Sequence, residues 1–201
     1  MTSCDFKPCP KESRKRAAPP CPRQATICTP EEYYDPDFQT LLAENRRQNR
    51  WIFDLIDTPN CPGEKIYHDA HAWLLARDVH RGVDNRYLVV FKDKELYSIR
   101  ELRSRHIDTL KDIVAFLAKW LPEQEPVHHK KYSMYFHYMP SVFQLHMHVS
   151  MRKSLESFRA HHMHHVLRNL ASHDAWYKDA LILCQNATLF KSRLTNHNKM
   201  P

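Results

Sequence analysis

Glycine is almost missing: Gly63 and Gly82 are the two in 201 residues. Loops that cradle phosphate or a dinucleotide need several glycines close together, because the backbone itself must approach the ligand. P-loop, protein kinase and Rossmann chemistries are therefore excluded. No apolar run reaches the roughly 18 residues of a membrane helix. The N-terminal stretch MTSCDFKPCPKESRKR is polar and contains acids, so it does not read as a secretory leader. The expected location is cytoplasmic or nuclear, with no membrane partner. Cysteines are few and show no CxxC pair. Four of the six (Cys4, Cys9, Cys21, Cys28) crowd the first 28 residues at irregular spacing, which suits free thiols better than a zinc site.

What is present begins with charge. Thirty Lys and Arg against 23 Asp and Glu give a net +7, a balance that favours polyanionic partners such as nucleotides or nucleic acid. Prolines and like charges in KPCPKESRKRAAPPCPR oppose packing, so residues 1–36 are expected to be a disordered basic tail and residues 37–201 one folded domain. KESRKR has the composition of either a nuclear-import patch or a solvated tail.

Along the domain, PDFQTLLAENRRQN has helical periodicity, and RWIFDLID alternates Trp51, Phe53 and Leu55 as a strand would. KIYHDAHAWLLAR and NRYLVVFKD read as strands. Residues 106–121 carry Ile107, Leu110, Ile113, Val114, Leu117, Trp120 and Leu121 at helical spacing, which predicts a long helix on a sheet, ended by Pro122. Trp73, Trp120 and Trp176 are expected in the core. SMYFHYM, a turn at Pro140 and Ser141, and FQLHMHVSM then predict an antiparallel hairpin.

That hairpin carries the chemistry. In an extended FQLHMHVSM, Gln144, His146 and His148 share one face while Leu145, Met147 and Val149 share the other. His137 on the partner strand would approach the histidine face. Two imidazoles at i and i+2 support either a metal site or nucleophilic chemistry at phosphorus. A metal lacks a good third ligand here, whereas imidazole is a competent neutral nucleophile near pH 7. In AHHMHHV, His161 and His165 would stand at i and i+4 of a helix, though without an adjacent acid or thiol a polar helix face is the simpler reading.

HYMPSVFQLHMHV closely resembles the histidine-triad signature in the form found in scavenger mRNA decapping enzymes. The similarity extends in order to WIFDLID, SIRELRSRHIDTLKDI and RAHHMHHVLRNLASHDAWYKDALILCQNATL, spanning residues 46–195. It implies an α+β histidine-triad fold, a mostly antiparallel sheet with packed helices, with the family's large N-terminal dimer-swapping domain absent or reduced. It also implies His146 as nucleophile, His148 as third triad member, His137 and Ser141 as phosphate contacts, and Trp51 as the surface on which 7-methylguanine stacks. The acid that reads the guanine falls near Cys61 and Glu64, with Glu64 the candidate. Three positions depart from the pattern. Gln144 replaces the first triad histidine, Val142 replaces an aromatic, and AHAW (Ala70, His71, Ala72, Trp73) lacks the acid and base of the nucleotide-contacting segment.

The implied reaction is a double displacement on free 7-methylguanosine caps or short capped RNA, releasing 7-methyl-GMP through a phosphohistidine, with no metal or other cofactor in the scheme. Gln144 would orient a neighbouring imidazole through its amide without carrying a proton. A homodimer is implied by the resemblance. A general histidine-triad nucleotide hydrolase or transferase would share His146 without base preference, and a catalytically weak cap-binding protein would depend on Trp51 alone.

Overall fold

The computed structural model describes residues 25–58, 66–78, 86–125, 132–151 and 159–185. In chain order these form strand β1 (Ala25–Cys28), helices α1 (Pro30–Tyr34), α2 (Pro36–Gln48) and α3 (Trp51–Asp57), and strands β2 (Ile66–Asp69), β3 (Trp73–Arg77) and β4 (Arg86–Phe91). Helix α4 (Ile107–Gln124), strands β5 (Ser133–His137), β6 (His146–Ser150) and β7 (Ala160–His162), helices α5 (Met163–Ser172) and α6 (Trp176–Asp179), and strand β8 (Ile182–Gln185) follow. Strands β2 to β7 build one antiparallel sheet in the order β2-β3-β4-β6-β5-β7, and β1 pairs with β8 in a separate ribbon. The architecture is α+β, as the patterning and the resemblance both imply.

Alternation along the strands divides the buried residues in two. Tyr87, Val89 and Phe91 of β4 and Met147 and Val149 of β6 face the main core, where Leu110, Ile113, Leu117 and Leu121 of α4 and Met163, Val166 and Leu170 of α5 pack. Each fully buried Leu, Ile or Val contributes about 1.5–3 kcal/mol, which is why a helix of this sequence holds to the sheet. Trp73 lies in this core, with Trp120 and Trp176 packed at its margin. The opposite sheet face carries Leu74, Ala76, Leu88 and Val90, covered by Ile52 and Leu55 of α3.

Four expectations need correction. Residues 25–36 are already packed, so structure does not wait until after residue 36. Thr29 and Glu32 form a reciprocal capping box that starts α1, and Cys28 and Tyr33 are buried in the main core. Residues 1–24, with Cys4, Cys9, Cys21 and the KESRKR run, lie outside the described residues. RWIFDLID is a helix and not a strand. Ile52, Leu55 and Ile56 repeat at three and four residues and pack on the sheet, a period that so short an apolar run cannot separate from alternation. Helix α4 passes Pro122 to end at Gln124, because a proline in the last turn removes one hydrogen bond while the Glu125 N–H still closes on the Leu121 carbonyl at 2.8 Å. His161 belongs to β7 and His165 to α5, so they do not share a helix face.

One arginine ties the periphery together. Arg100 is fully buried, and its Nη2 donates to the Cys28 carbonyl at 2.8 Å. Its Nη1 donates to the Tyr177 and Ala180 carbonyls at 2.9 and 2.6 Å, and its Nε to the Tyr138 hydroxyl at 3.0 Å. The guanidinium thereby joins β1, the end of α6 and the loop after β5, satisfying carbonyls that would otherwise be buried without donors. The thiol of Cys28, hydrogen-bonded to Cys184 and Tyr138 and close to the Arg100 charge, is lowered to about 6 against the opposing effect of burial. Arg100→Met keeps the length and removes the donors. It is expected to lower unfolding free energy by at least about 3 kcal/mol, read as a fall in the urea midpoint; an unchanged midpoint would contradict this role.

Candidate active site

Strand β6 lies between β4 and β5, and its register sets the site. His146 stands opposite Val90 and His148 opposite Leu88 on one side, while His148 stands opposite Tyr135 on the other. These residues share the sheet face away from the main core, and His137 joins them two residues beyond Tyr135 on β5. The His137 and His148 rings approach to 4.5 Å between centroids, His146 and His148 to 5.2 Å, and Tyr135 stacks on His148 at 5.4 Å and 23°. The histidines that the hairpin pattern singled out are therefore one cluster.

His146 is 7% exposed, and its Nδ1 lies 2.7 Å from the main-chain carbonyl of Gln144. A carbonyl only accepts, so Nδ1 carries the hydrogen and Nε2 keeps its lone pair. Burial, reinforced by the neighbouring His148 charge, pushes the His146 imidazole down to about 4, against the Gln144 carbonyl and Asp78, which favour protonation. At neutral pH this side chain is an oriented, uncharged imidazole with a free lone pair, the state required of a nitrogen nucleophile.

Gln144 does not do what its place in the alternation suggests. It is fully buried just before β6, and its Nε2 donates to the carbonyls of Phe91 and Asp93 at 2.8 and 2.9 Å. The Arg46 guanidinium contacts its Oε1 at 3.5 Å. The side-chain amide is committed to the end of β4, and the group that orients His146 is the residue's backbone oxygen. Arg46 also donates to the Phe143 and Lys94 carbonyls at 2.8 and 2.9 Å while its guanidinium lies over the rings of Phe53 and Tyr97. Asn45 brackets the same loop, donating to the Ser141 carbonyl at 3.1 Å and accepting from the Phe143 N–H at 3.0 Å. Helix α2 thus holds the segment that feeds the histidine strand.

The remaining sequence candidates fall as follows. Ser141 is exposed on that loop. Trp51 is half-buried at the start of α3, packed against the apolar cluster on the histidine side of the sheet. Glu64, with Cys61, lies outside the described residues. Sequence reasoning missed three side chains. Asp78 follows β3, and its Oδ2 lies 3.7 Å from His148 Nδ1. Tyr135 stacks on His148, and Arg159 donates from Nη2 to His137 Nδ1 at 3.3 Å. Asp78 continues the alternation Leu74, Ala76, Asp78 and Tyr135 alternates with His137, so both were readable once the strands were paired. Arg159 has no local signature. Among the described residues no group of three or more His, Cys, Asp and Glu side chains is placed to hold a metal ion.

Residues 50–164 match the family described as scavenger mRNA decapping enzyme C-term binding. This chain belongs to that family. The match spans the strand that carries His146 and His148, the stretch that resembles the histidine-triad signature. No curated protein matches the chain. Among solved structures, Hnt3 in complex with DNA and guanosine aligns with a TM-score of 0.44 and 14% identity, covering 73% of this chain and 93% of that one. The aprataxin ortholog Hnt3 in complex with DNA aligns with a TM-score of 0.44 and 12% identity, covering 77% and 94%.

The buried neutral histidine has a consequence for stability. An unfolded histidine takes up its proton near pH 6.5 and folded His146 near 4, so the unfolded chain binds more protons between those values. Stability attributable to His146 should therefore decline as pH falls from about 6.5 to about 4, by ~3 kcal/mol in all. His161, also lowered to about 4 by burial, acts in the same direction. His146→Asn should make the loss between pH 7 and 4.5 visibly shallower in urea unfolding; an identical slope would show that His146 is not the buried neutral group described.

Proposed function

We propose that the protein hydrolyses the triphosphate bridge of free 7-methylguanosine caps or of short capped RNA, releasing 7-methyl-GMP. The observation that carries the reading is His146, uncharged and held by its Nδ1–H so that Nε2 retains a lone pair on the face shared with His148, His137 and Arg159. In the first step Nε2 forms a bond to the phosphorus next to 7-methylguanosine as the bond to the bridging oxygen breaks, and a nucleoside diphosphate or a short RNA ending in a 5′-diphosphate leaves. In the second, water attacks that phosphorus, the P–N bond breaks, and 7-methyl-GMP departs. Charge developing on the phosphate oxygens would be met by the Arg159 guanidinium, the His137 and His148 imidazoles and the Ser141 hydroxyl.

Base preference in this reading rests on Trp51, whose half-buried indole lies on the histidine side of the sheet. N7-methylation gives the purine a positive charge, which raises its attraction to an indole face. Glu64 is the acid proposed to read the guanine edge. The homodimer and the cytoplasmic or nuclear location implied by the family resemblance belong to the same proposal.

The deciding experiment incubates purified protein with methylated and unmethylated cap dinucleotides and assays 7-methyl-GMP. His146→Ala should lower turnover by several orders of magnitude while leaving nucleotide binding within a few fold, because this side chain forms the covalent intermediate and makes little ground-state contact. Turnover near the parent rate in that variant would refute the nucleophile.

Stacking on a desolvated indole favours the cationic base by about 0.5–2 kcal/mol, a preference of up to about thirtyfold. Trp51→Ala should remove most of it, and Trp51→Leu, which keeps apolar contact without the π face, should do the same. Full preference retained in both variants would make Trp51 a packing residue.

A further inference from the structure

A nucleophilic histidine needs a partner that can hand a proton to the departing oxygen, and the residue adjoining it in the alternation cannot. Gln144 has its amide hydrogens on the Phe91 and Asp93 carbonyls and carries no transferable proton. The next imidazole on the same strand is His148. Its Nδ1 faces the Asp78 carboxylate at 3.7 Å, with side-chain exposures of 13% for the histidine and 7% for the acid. That is the separation of an ion pair in a setting nearly free of solvent, where charges are screened far less than at the surface. Asp78 is fixed in turn by its own N–H, which donates to the Arg86 carbonyl at 3.1 Å and extends the β3–β4 ladder by one residue.

The groups around His148 give Asp78 a distinct part. β5 brings Tyr135 against the ring and His137 beside it, with Arg159 in contact with His137. β7 brings His162 edge-on to Tyr135 at 6.0 Å between ring centroids. On its own strand His148 faces His146, held neutral. β4 places Leu88 opposite, and α3, packed over Leu88, carries its acids Asp54 and Asp57 exposed. The neighbouring imidazoles and Arg159 oppose a positive charge on His148; the Asp78 carboxylate supports it.

We propose that Asp78 is a positioning residue that holds His148 as the imidazolium which delivers the leaving-group proton, replacing the proton-carrying side chain that Gln144 cannot supply. The inference rests on the hydrolase reading above. In the first displacement the P–O bond to the leaving group breaks as the His146 N–P bond forms, and the proton on His148 Nε2 passes to the departing oxygen. In the second, the attacking water gives a proton back to His148 as the P–N bond breaks, so the pair is restored and no co-reactant is consumed.

The test uses the full chain with two substrates of the same phosphorus centre: a 7-methylguanosine cap dinucleotide, and the p-nitrophenyl ester of 7-methyl-GMP, whose leaving group departs without a proton. Asp78→Asn should lower kcat on the cap about a hundredfold, at the lower end of what general-acid help supplies, and on the ester by less than about tenfold. The alkaline limb of its pH–rate profile should move to lower pH by about one unit, since removal of the carboxylate lets His148 lose its proton earlier. Asp78→Glu should recover part of the cap activity. Equal losses on both substrates, or an unmoved alkaline limb, would overturn the proposal and leave Asp78 a packing residue. Should Asp78→Asn not fold, His148→Gln and the Asp78→Glu/His148→Gln double variant decide. The double should be no slower on the cap than His148→Gln alone, and additive losses would reject the pairing. Loss of the hydrolase reading itself looks different: the parent protein would then turn over neither substrate, or His146→Ala would still turn over both.

Discussion

The site depends on the register of β6 between β4 and β5. With His146 opposite Val90 and His148 opposite both Leu88 and Tyr135, the imidazoles share a face with Leu74, Ala76 and the loop-borne Val142, while Met147 and Val149 enter the main core. A slip of one residue would turn the histidines into the main core and the apolar side chains of β6 onto the histidine face, so the packing of α4 and α5 and the layout of the opposite face stand or fall together. Chemical function here rides on hydrophobic patterning: the same alternation that seats the strand aims its imidazoles.

The supports of that strand are main-chain hydrogen bonds made by long polar side chains. Gln144 is spent on Phe91 at the end of β4 and on Asp93 just past it, Arg46 on the carbonyls of Phe143 and Lys94, and Arg100 on the carbonyls of Cys28, Tyr177 and Ala180 from two distant parts of the chain. With almost no glycine, the chain has few places to tighten a loop through backbone freedom, and side-chain donors do that work. The result is that His146 takes its orientation from a carbonyl whose own position is fixed from both flanks.

Much of this was legible in the sequence, for definite reasons. The β5–β6 hairpin and its histidine face followed from alternation over several residues, and α4 from a long helical period, both long enough to be unambiguous. Three kinds of feature were not. The seven residues of α3 satisfied both periods, and only packing against Leu88 and Val90 selects the helix. The packing of residues 25–35 depends on partners far along the chain, since β1 pairs with β8 and Cys28 rests on Arg100. Asp78 and Arg159 reach the histidines from remote positions that no local spacing links to HMH. The role expected of Gln144 changed for a related reason: its acceptors are Phe91 of β4 and Asp93 just past that strand, some fifty residues earlier, and an amide takes whichever partner lies within reach.

Helix α2 ends at Gln48, and the family match begins at residue 50. Asn45 and Arg46 nevertheless hold Ser141, Phe143 and Gln144, which precede His146. At the far end, α5 runs beyond residue 164 to Ser172 and supplies Val166 and Leu170 to the main core. The stretch that the family match covers is thus smaller than the unit that holds the histidine strand in place. A polypeptide trimmed to residues 50–164 would keep every triad position and lose the two side chains that clasp the loop leading into it.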